Sequence, residues 1–422
     1  MSRCLVGSEM CIRDRAKGII GPWVHKYPHF AVPKPQIGFL QEAIRWWDRW
    51  LKGIDNGCET DPNYRVYVMK GEPPKSSYNF RDGYWIKEDR WPSQASKNKK
   101  LFLNSNNVLS LSNKKNKCPL GVIDSPQHCG LKGGEYCAIW LGPELPGDQR
   151  LDDAFSLCFD TKALSLEEDI VGSPELTITL EANSRNGQLA VRLCDVFPDG
   201  KSSRITYGIL NLRFRESLDS PKNIFLGKEF TVKIKLDHIA YKLPKGNKLR
   251  LSLSNAYWPL VWPVNNPAKL VVKEGYLSLP LRHSARSDEW VFPEPVASKP
   301  WQGKEIRTPR NKRQVLFDEA TDKVFLDIED DFGSYKDLQN NLVISSTARE
   351  KWSIHPHDPL SAKGETHWTE ERSRGDWSIR TETFSSMTSD KSYFYLKARV
   401  EAYEKEKLIF KKKMESKIKR VL

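Results

Sequence analysis

The first residue placed for chemistry is His25. It sits in Gly21–Phe30 (GPWVHKYPHF), just past the short apolar run Lys17–Trp23 (KGIIGPW), and Pro33 and Pro35 hold the following chain in an extended loop. An imidazole beyond a strand end is where an α/β sheet keeps groups for proton transfer. The alternative is a surface-loop histidine with no role. Asp148, Arg150, Asp152 and Asp153 could hold a cation or a ligand, or act as turn caps and salt bridges. His128 with Cys118, Cys129 and Cys137 offers zinc-ligating atoms, but none of the eight cysteines forms a C-x-x-C pair, so reduced or buried thiols are expected. His355, His357 and His367 come next, where Pro356 and Pro359 predict an irregular loop without a metal-ligand pattern. The site is expected to need no metal and no cofactor.

The elements that must carry these residues change period along the chain. In Pro35–Gly53 (PQIGFLQEAIRWWDRWLKG), Ile37, Leu40, Ile44, Trp47 and Leu51 recur at steps of three and four, which predicts an amphipathic helix. Gly53 ends it, and Asp55, Asn56 and Gly57 form a turn. Trp46, Trp47 and Trp50 could line a pocket, but aromatics at helical spacing usually pack in a core. From Tyr64 onward the period is two. Tyr64, Val66 and Val68 alternate, then Leu176, Ile178 and Leu180, then Leu189, Val191 and Leu193, then Val232, Ile234 and Leu236, then Leu249, Leu251 and Leu253. Turn clusters at Pro198–Gly200 and Pro244–Gly246 separate them, so an antiparallel sandwich is predicted. Gly303–Arg313 is polar and basic around Pro309 and reads as a linker. Beyond it, Val324, Leu326 and Ile328 alternate, as do Trp377, Ile379 and Thr381, and Tyr393 and Tyr395 opposite Phe394 and Leu396, which predicts a second antiparallel unit.

Several segments carry a family resemblance. GPWVHKYP with PQIGFLQEAIRWWDRWLKGIDNG resembles the last strand, histidine loop and final helix of the CocE/NonD hydrolases, the cocaine-esterase and glutaryl-acylase type related to X-Pro dipeptidyl-peptidases. GDQRLDDAFSLCFDT (Gly147–Thr161), LAVRLCDVFPDGKSSRITYGILNLRFR (Leu189–Arg215) and KLRLSLSNAYWPLVWP (Lys248–Pro263) resemble the β domain of that family, and WSIHPHDPLSAKGETHW resembles the C-terminal region of its longer members. The resemblance implies a mainly β chain. Residues 16–60 would be the C-terminal end of an α/β-hydrolase domain, 61–302 a jelly-roll, galactose-binding-like sandwich, and 303–422 a further antiparallel β domain.

The resemblance also implies a Ser, Asp and His triad acting by acyl transfer, and it reaches this chain only at His25, the general base. In this fold the serine and acid precede the histidine, and none of the 25 glycines opens a G-x-S-x-G elbow. The expectation is the C-terminal part of a serine hydrolase of ester, amide or X-Pro peptide bonds, inactive by itself. Tyr257, Trp258 and Trp262 could then wall the acyl pocket or pack between domains, since large aromatics serve both roles. The competing reading is a stand-alone β-sandwich binding module.

Composition sets the outer bounds. The 422 residues suggest two or three domains, and 14 Trp, 14 Tyr and 17 Phe exclude a disordered polymer. Lys plus Arg exceed Asp plus Glu by 67 − 54 = 13. The lysines crowd Lys97–Lys117 and Lys405–Lys419, where acidic residues and turn formers also occur, rather than forming an aromatic-interleaved basic stripe, so they read as solvated surface, and neither nucleic acid nor a membrane is an expected partner. Small ester, amide or peptide substrates are. The apolar stretch Ala256–Val264 holds two prolines and falls short of the roughly 18 residues of a membrane span. Met1–Arg15 (MSRCLVGSEMCIRDR) is broken by Arg3, Glu9, Arg13 and Arg15 and shows no export signal; it reads as a non-native leader, with a cytoplasmic protein behind it.

Overall fold

The structure is a computed structural model that describes residues 16–114, 118–139, 142–283, 288–299 and 301–420. The expected leader Met1–Arg15 lies outside the described residues. Among them the chain forms two sheets, one of 15 strands that curls into a jelly-roll sandwich and one of eight.

The sandwich is built where the period is two. Glu175–Ala182 buries every second residue, Leu176, Ile178, Leu180 and Ala182, and pairs in register with Glu229–Lys235, so Ile178 lies opposite Val232 and Leu176 opposite Ile234. Gln188–Val196 is buried on both faces, because Ser202–Asn211 flanks it on one side and Lys248–Ser254 on the other, while other elements cover it above and below. Its Leu189, Val191 and Leu193 join Leu249, Leu251 and Leu253 in one continuous core with Phe159, Ile170 and Leu277.

The first segment docks on this sandwich. Gly18–Ile20 pairs in parallel with Tyr64–Val66. Helix α1 (Phe39–Lys52) follows the histidine loop and stops at Gly53, whose φ of 71° lies in the left-handed region that glycine enters freely. Ion pairs fix its polar side: Arg45 to Asp61, Arg49 to Glu59, and Arg65 to Glu42. The apolar stripe behaves unexpectedly. Ile44, Trp47 and Leu51 are 61%, 54% and 75% exposed, so this row covers no core among the described residues.

The eight-stranded sheet is an antiparallel meander running from Gly303–Arg307 and Arg310–Asp318 to Lys407–Lys419. The linker expected at Gly303–Arg313 is in fact two strands joined at Thr308–Pro309. They lie at an edge, exposed, and so show no apolar alternation; Pro309 occupies the turn, where no ladder hydrogen bond is needed. The irregular loop expected around Pro356 is likewise a tight turn between the long strands Val343–His355 and Asp358–Arg374. Its two prolines fall in the turn and at the second residue of a strand.

Candidate functional site

His25 stands on a loop pinned from both sides. Val24 is buried and its amide bonds Val32, the His25 amide donates to the Ala138 carbonyl at 2.8 Å, and Trp23 packs on Trp85 while its Nε1 donates to Pro35. Tyr27, His29 and Phe30 cluster against Phe39 at the start of α1. The His25 side chain itself is exposed. Among the described residues no carboxylate pairs with it and no serine hydroxyl reaches it, so its backbone is held in place while the ring has neither partner of a triad.

Within Asp148–Asp153, Asp152 and Asp153 form a buried scaffold. Short helix α2 (Arg150–Ala154) carries Asp152, which accepts the amides of Gly130 and Lys132 at 3.0 Å each, and Asp153, which takes Arg192 at 3.0 Å, Arg250 at 3.2 Å and the hydroxyls of Ser202 and Ser252. Burial pushes the Asp152 carboxyl above its ordinary range, against the pull of Arg192. Asp148 pairs with Arg150 at the surface. With every acid engaged by a cation, hydroxyl or amide, this group acts as a set of salt bridges and caps. Reading for motifs missed Arg192, although a charge inside the apolar strand LAVRLCDV signals a buried pair.

Tyr257, Trp258 and Trp262 lie together beside the junction of the two sheets. Trp258 is 1% exposed and packs edge-on to Trp262 and Trp352, with Leu131, Val324 and Leu326 around it. Gly130 must be glycine here, because a Cβ would stand 2.7 Å from the Trp258 backbone. Trp262 donates to the Ser389 hydroxyl at 3.0 Å, and the Tyr257 hydroxyl accepts from Arg204 at 2.6 Å. The two tryptophans pack where the two sheets meet.

The histidines and cysteines do not converge. His128 is buried against Phe155 and Phe317, the Cys129 thiol points at the Asp152 carbonyl and is pushed up to about 12 by burial, and Cys118 and Cys137 are exposed. His367 stacks on Phe384 and bonds Glu382, away from the His355–His357 turn. No cluster of three or more metal-ligating side chains occurs among the described residues.

Residues 56–287, more than half of the chain, match the family described as X-Pro dipeptidyl-peptidase C-terminal non-catalytic domain. The chain belongs to this family, that of the CocE/NonD hydrolases. It is 21% identical over 289 residues to the cocaine esterase of Rhodococcus sp. (strain MB1 Bresler), covering 63% of this chain and 48% of that protein. It is 23% identical over 259 residues to a putative Xaa-Pro dipeptidyl-peptidase of Bacillus cereus, covering 61% and 40%. Among solved structures, an α-amino acid ester hydrolase aligns with a TM-score of 0.51 at 17% identity, covering 66% of this chain and 52% of that one. An aminopeptidase from a Thaumarchaeota archaeon aligns at 0.52 and 15%, covering 64% and 50%. These two likenesses establish a shared fold. The chain spans about half or less of the length of the curated relatives it matches. Among the described residues no helix is long and apolar enough to cross a membrane.

Proposed function

We propose that this chain is the C-terminal, non-catalytic portion of a serine hydrolase of ester, amide or X-Pro peptide bonds, and that His25 is the one triad member it carries. The carrying observation is the exposed row Ile44, Trp47 and Leu51 on α1. A helix with an apolar stripe is built to cover a sheet, and three large apolar groups left in water mark a missing partner surface. An α/β-hydrolase core would lie there and would bring a serine and an acid to the exposed imidazole of His25. The family match and the absence of a G-x-S-x-G elbow from the sequence support the same reading.

Without a nucleophile the covalent route is closed. The purified chain is expected to take no label from a fluorophosphonate probe, and labelling of any serine overturns the proposal. In a parent protein with the upstream domain, His25→Ala is expected to lower kcat by about 10⁴-fold or more at unchanged fold. Retained turnover removes the role of His25.

A further inference from the structure

A cavity of 390 Å³ opens where the chain before His25 meets the sandwich. Trp23, Tyr67, Tyr78, Trp91 and Tyr207 line it. Its lining also carries three cations, Lys75, Arg81 and Arg204, against the single carboxylate of Asp237. His25 is not part of the lining.

Arg81 is the unusual member. It is only 8% exposed, its guanidinium lies 4.4 Å from the centre of the Tyr78 ring, and its Nη2 reaches the Lys70 carbonyl at a long 3.4 Å. Its Nε is buried with no partner among the described residues, and none of their carboxylates forms an ion pair with it. A buried guanidinium without a counter-ion is costly, and five directed donors make it a ready site for a flat anionic group. Arg204 repeats the arrangement less deeply, 4.3 Å from the Tyr207 ring centre and also without a carboxylate partner among the described residues. The rings hold both guanidinium planes in place without neutralising them.

We propose that this cavity binds a small organic anion, a carboxylate or sulfonate carried on a flat apolar body, with its charge met by Arg81 and Arg204 and its body against the aromatic walls. No hydrolytic step enters this assignment, so it stands or falls separately from the role of His25.

Titration calorimetry on the full chain tests it with 1-naphthoate, naphthalene-1-sulfonate and uncharged 1-naphthol. Saturable binding of naphthoate is expected, with 1-naphthol about tenfold weaker or more, the loss of one charge-assisted contact. Binding of the sulfonate as well assigns the site to anions in general, and binding of naphthoate alone assigns it to carboxylates. Arg81→Gln is expected to weaken naphthoate about tenfold, and Arg81→Lys less. If Arg81→Gln fails to fold, the shallower Arg204→Gln decides, with an expected loss of severalfold at unchanged Tm. Absence of saturable binding, equal affinity for naphthol and naphthoate, or affinity unmoved in folded Arg81 and Arg204 variants overturns the proposal.

Discussion

The two sheets of this protein solve the same problem differently. The sandwich closes on itself, and residues from most of its strands, Leu176, Leu193, Leu251 and Leu277 among them, are removed from water in one core. The eight-stranded sheet buries a cluster only near one end, where Val324, Leu326, Ile328, Ile354 and Ala362 meet Trp258 and Leu131 of the sandwich. Away from that junction its strands run on with half-buried faces, and Lys407–Lys419 is exposed along its whole length. Its outer strands depend on ladder hydrogen bonds and on cross-strand contacts such as Arg349 with Glu329, Arg399 over Phe384 and Lys417 over Tyr393. A sheet can thus extend well past its hydrophobic support if its backbone ladder is continuous, and lysines along the free edge discourage pairing with another chain.

The sharpest way to break this contrast is through its ion pairs. Asp153 and Arg192 have side chains 4% and 0% exposed. Asp153→Asn leaves Arg192 buried without its charge partner and is expected to cost about 4 kcal/mol in urea unfolding. Glu329→Gln in the outer sheet removes an open pair with Arg349 and is expected to change stability by under about 0.5 kcal/mol. Equal effects would mean that the outer sheet is as tightly coupled as the sandwich.

A second comparison uses apolar side chains. Leu251 is 0% exposed and touches the centre of the sandwich core, so Leu251→Ala is expected to cost about 3 kcal/mol, from lost transfer free energy plus the cavity left behind. Phe410, in the last strand, is 51% exposed, and Phe410→Ala is expected to stay within about 0.5 kcal/mol. Denaturant melts of both variants read the difference, and a large cost at Phe410 would show that this edge is covered in solution.

Much of this contrast was legible in the sequence, and its limits have physical reasons. The alternation at Leu176, Leu189, Val232 and Leu249 marked strands, though the Leu189 strand proves buried on both faces rather than half-buried, and Gly53 marked the end of α1, because both signals are local. Gly303–Arg313 was not readable as strand, because a strand exposed on both faces has no apolar period to display. The stripe on α1 predicted a helix correctly but not that its row would lie in water, since periodicity shows that a face is apolar and not what meets it. That Trp258 meets Trp352 and Val324 was not legible, because residue type is silent about such long-range contacts. Arg81 gave no signal at all, because an unpaired arginine differs from a paired one only in what the fold brings near it.

The smallest expected effect separates the two sheets by pH. Asp195 lies at 0% exposure in the sandwich, accepting from Asn247 and Tyr241, and burial outweighs these bonds to push its carboxyl up to about 6. A carboxyl raised above its unfolded value of 3.8 favours the folded state most below that value, and this contribution is lost as pH rises through about 6. The folded protein should therefore gain up to about 2 kcal/mol from this group on going from pH 7 to pH 4.5. Asp331 in the outer sheet has the opposite sign: burial works against its charge, but the hydrogen bond from Arg307 and the Gly333 amide outweigh it and hold its carboxyl low. Its contribution is present above the unfolded value and is lost as pH falls below it. Asp195→Asn can keep the Asn247 bond and turn the Tyr241 hydroxyl to donate elsewhere or accept, so it should remove the gain at pH 4.5 while raising stability at pH 7. Urea melts of wild type and variant at the two pH values read this directly; parallel curves would mean that water reaches Asp195 and that the sandwich interior is less sealed than its packing implies.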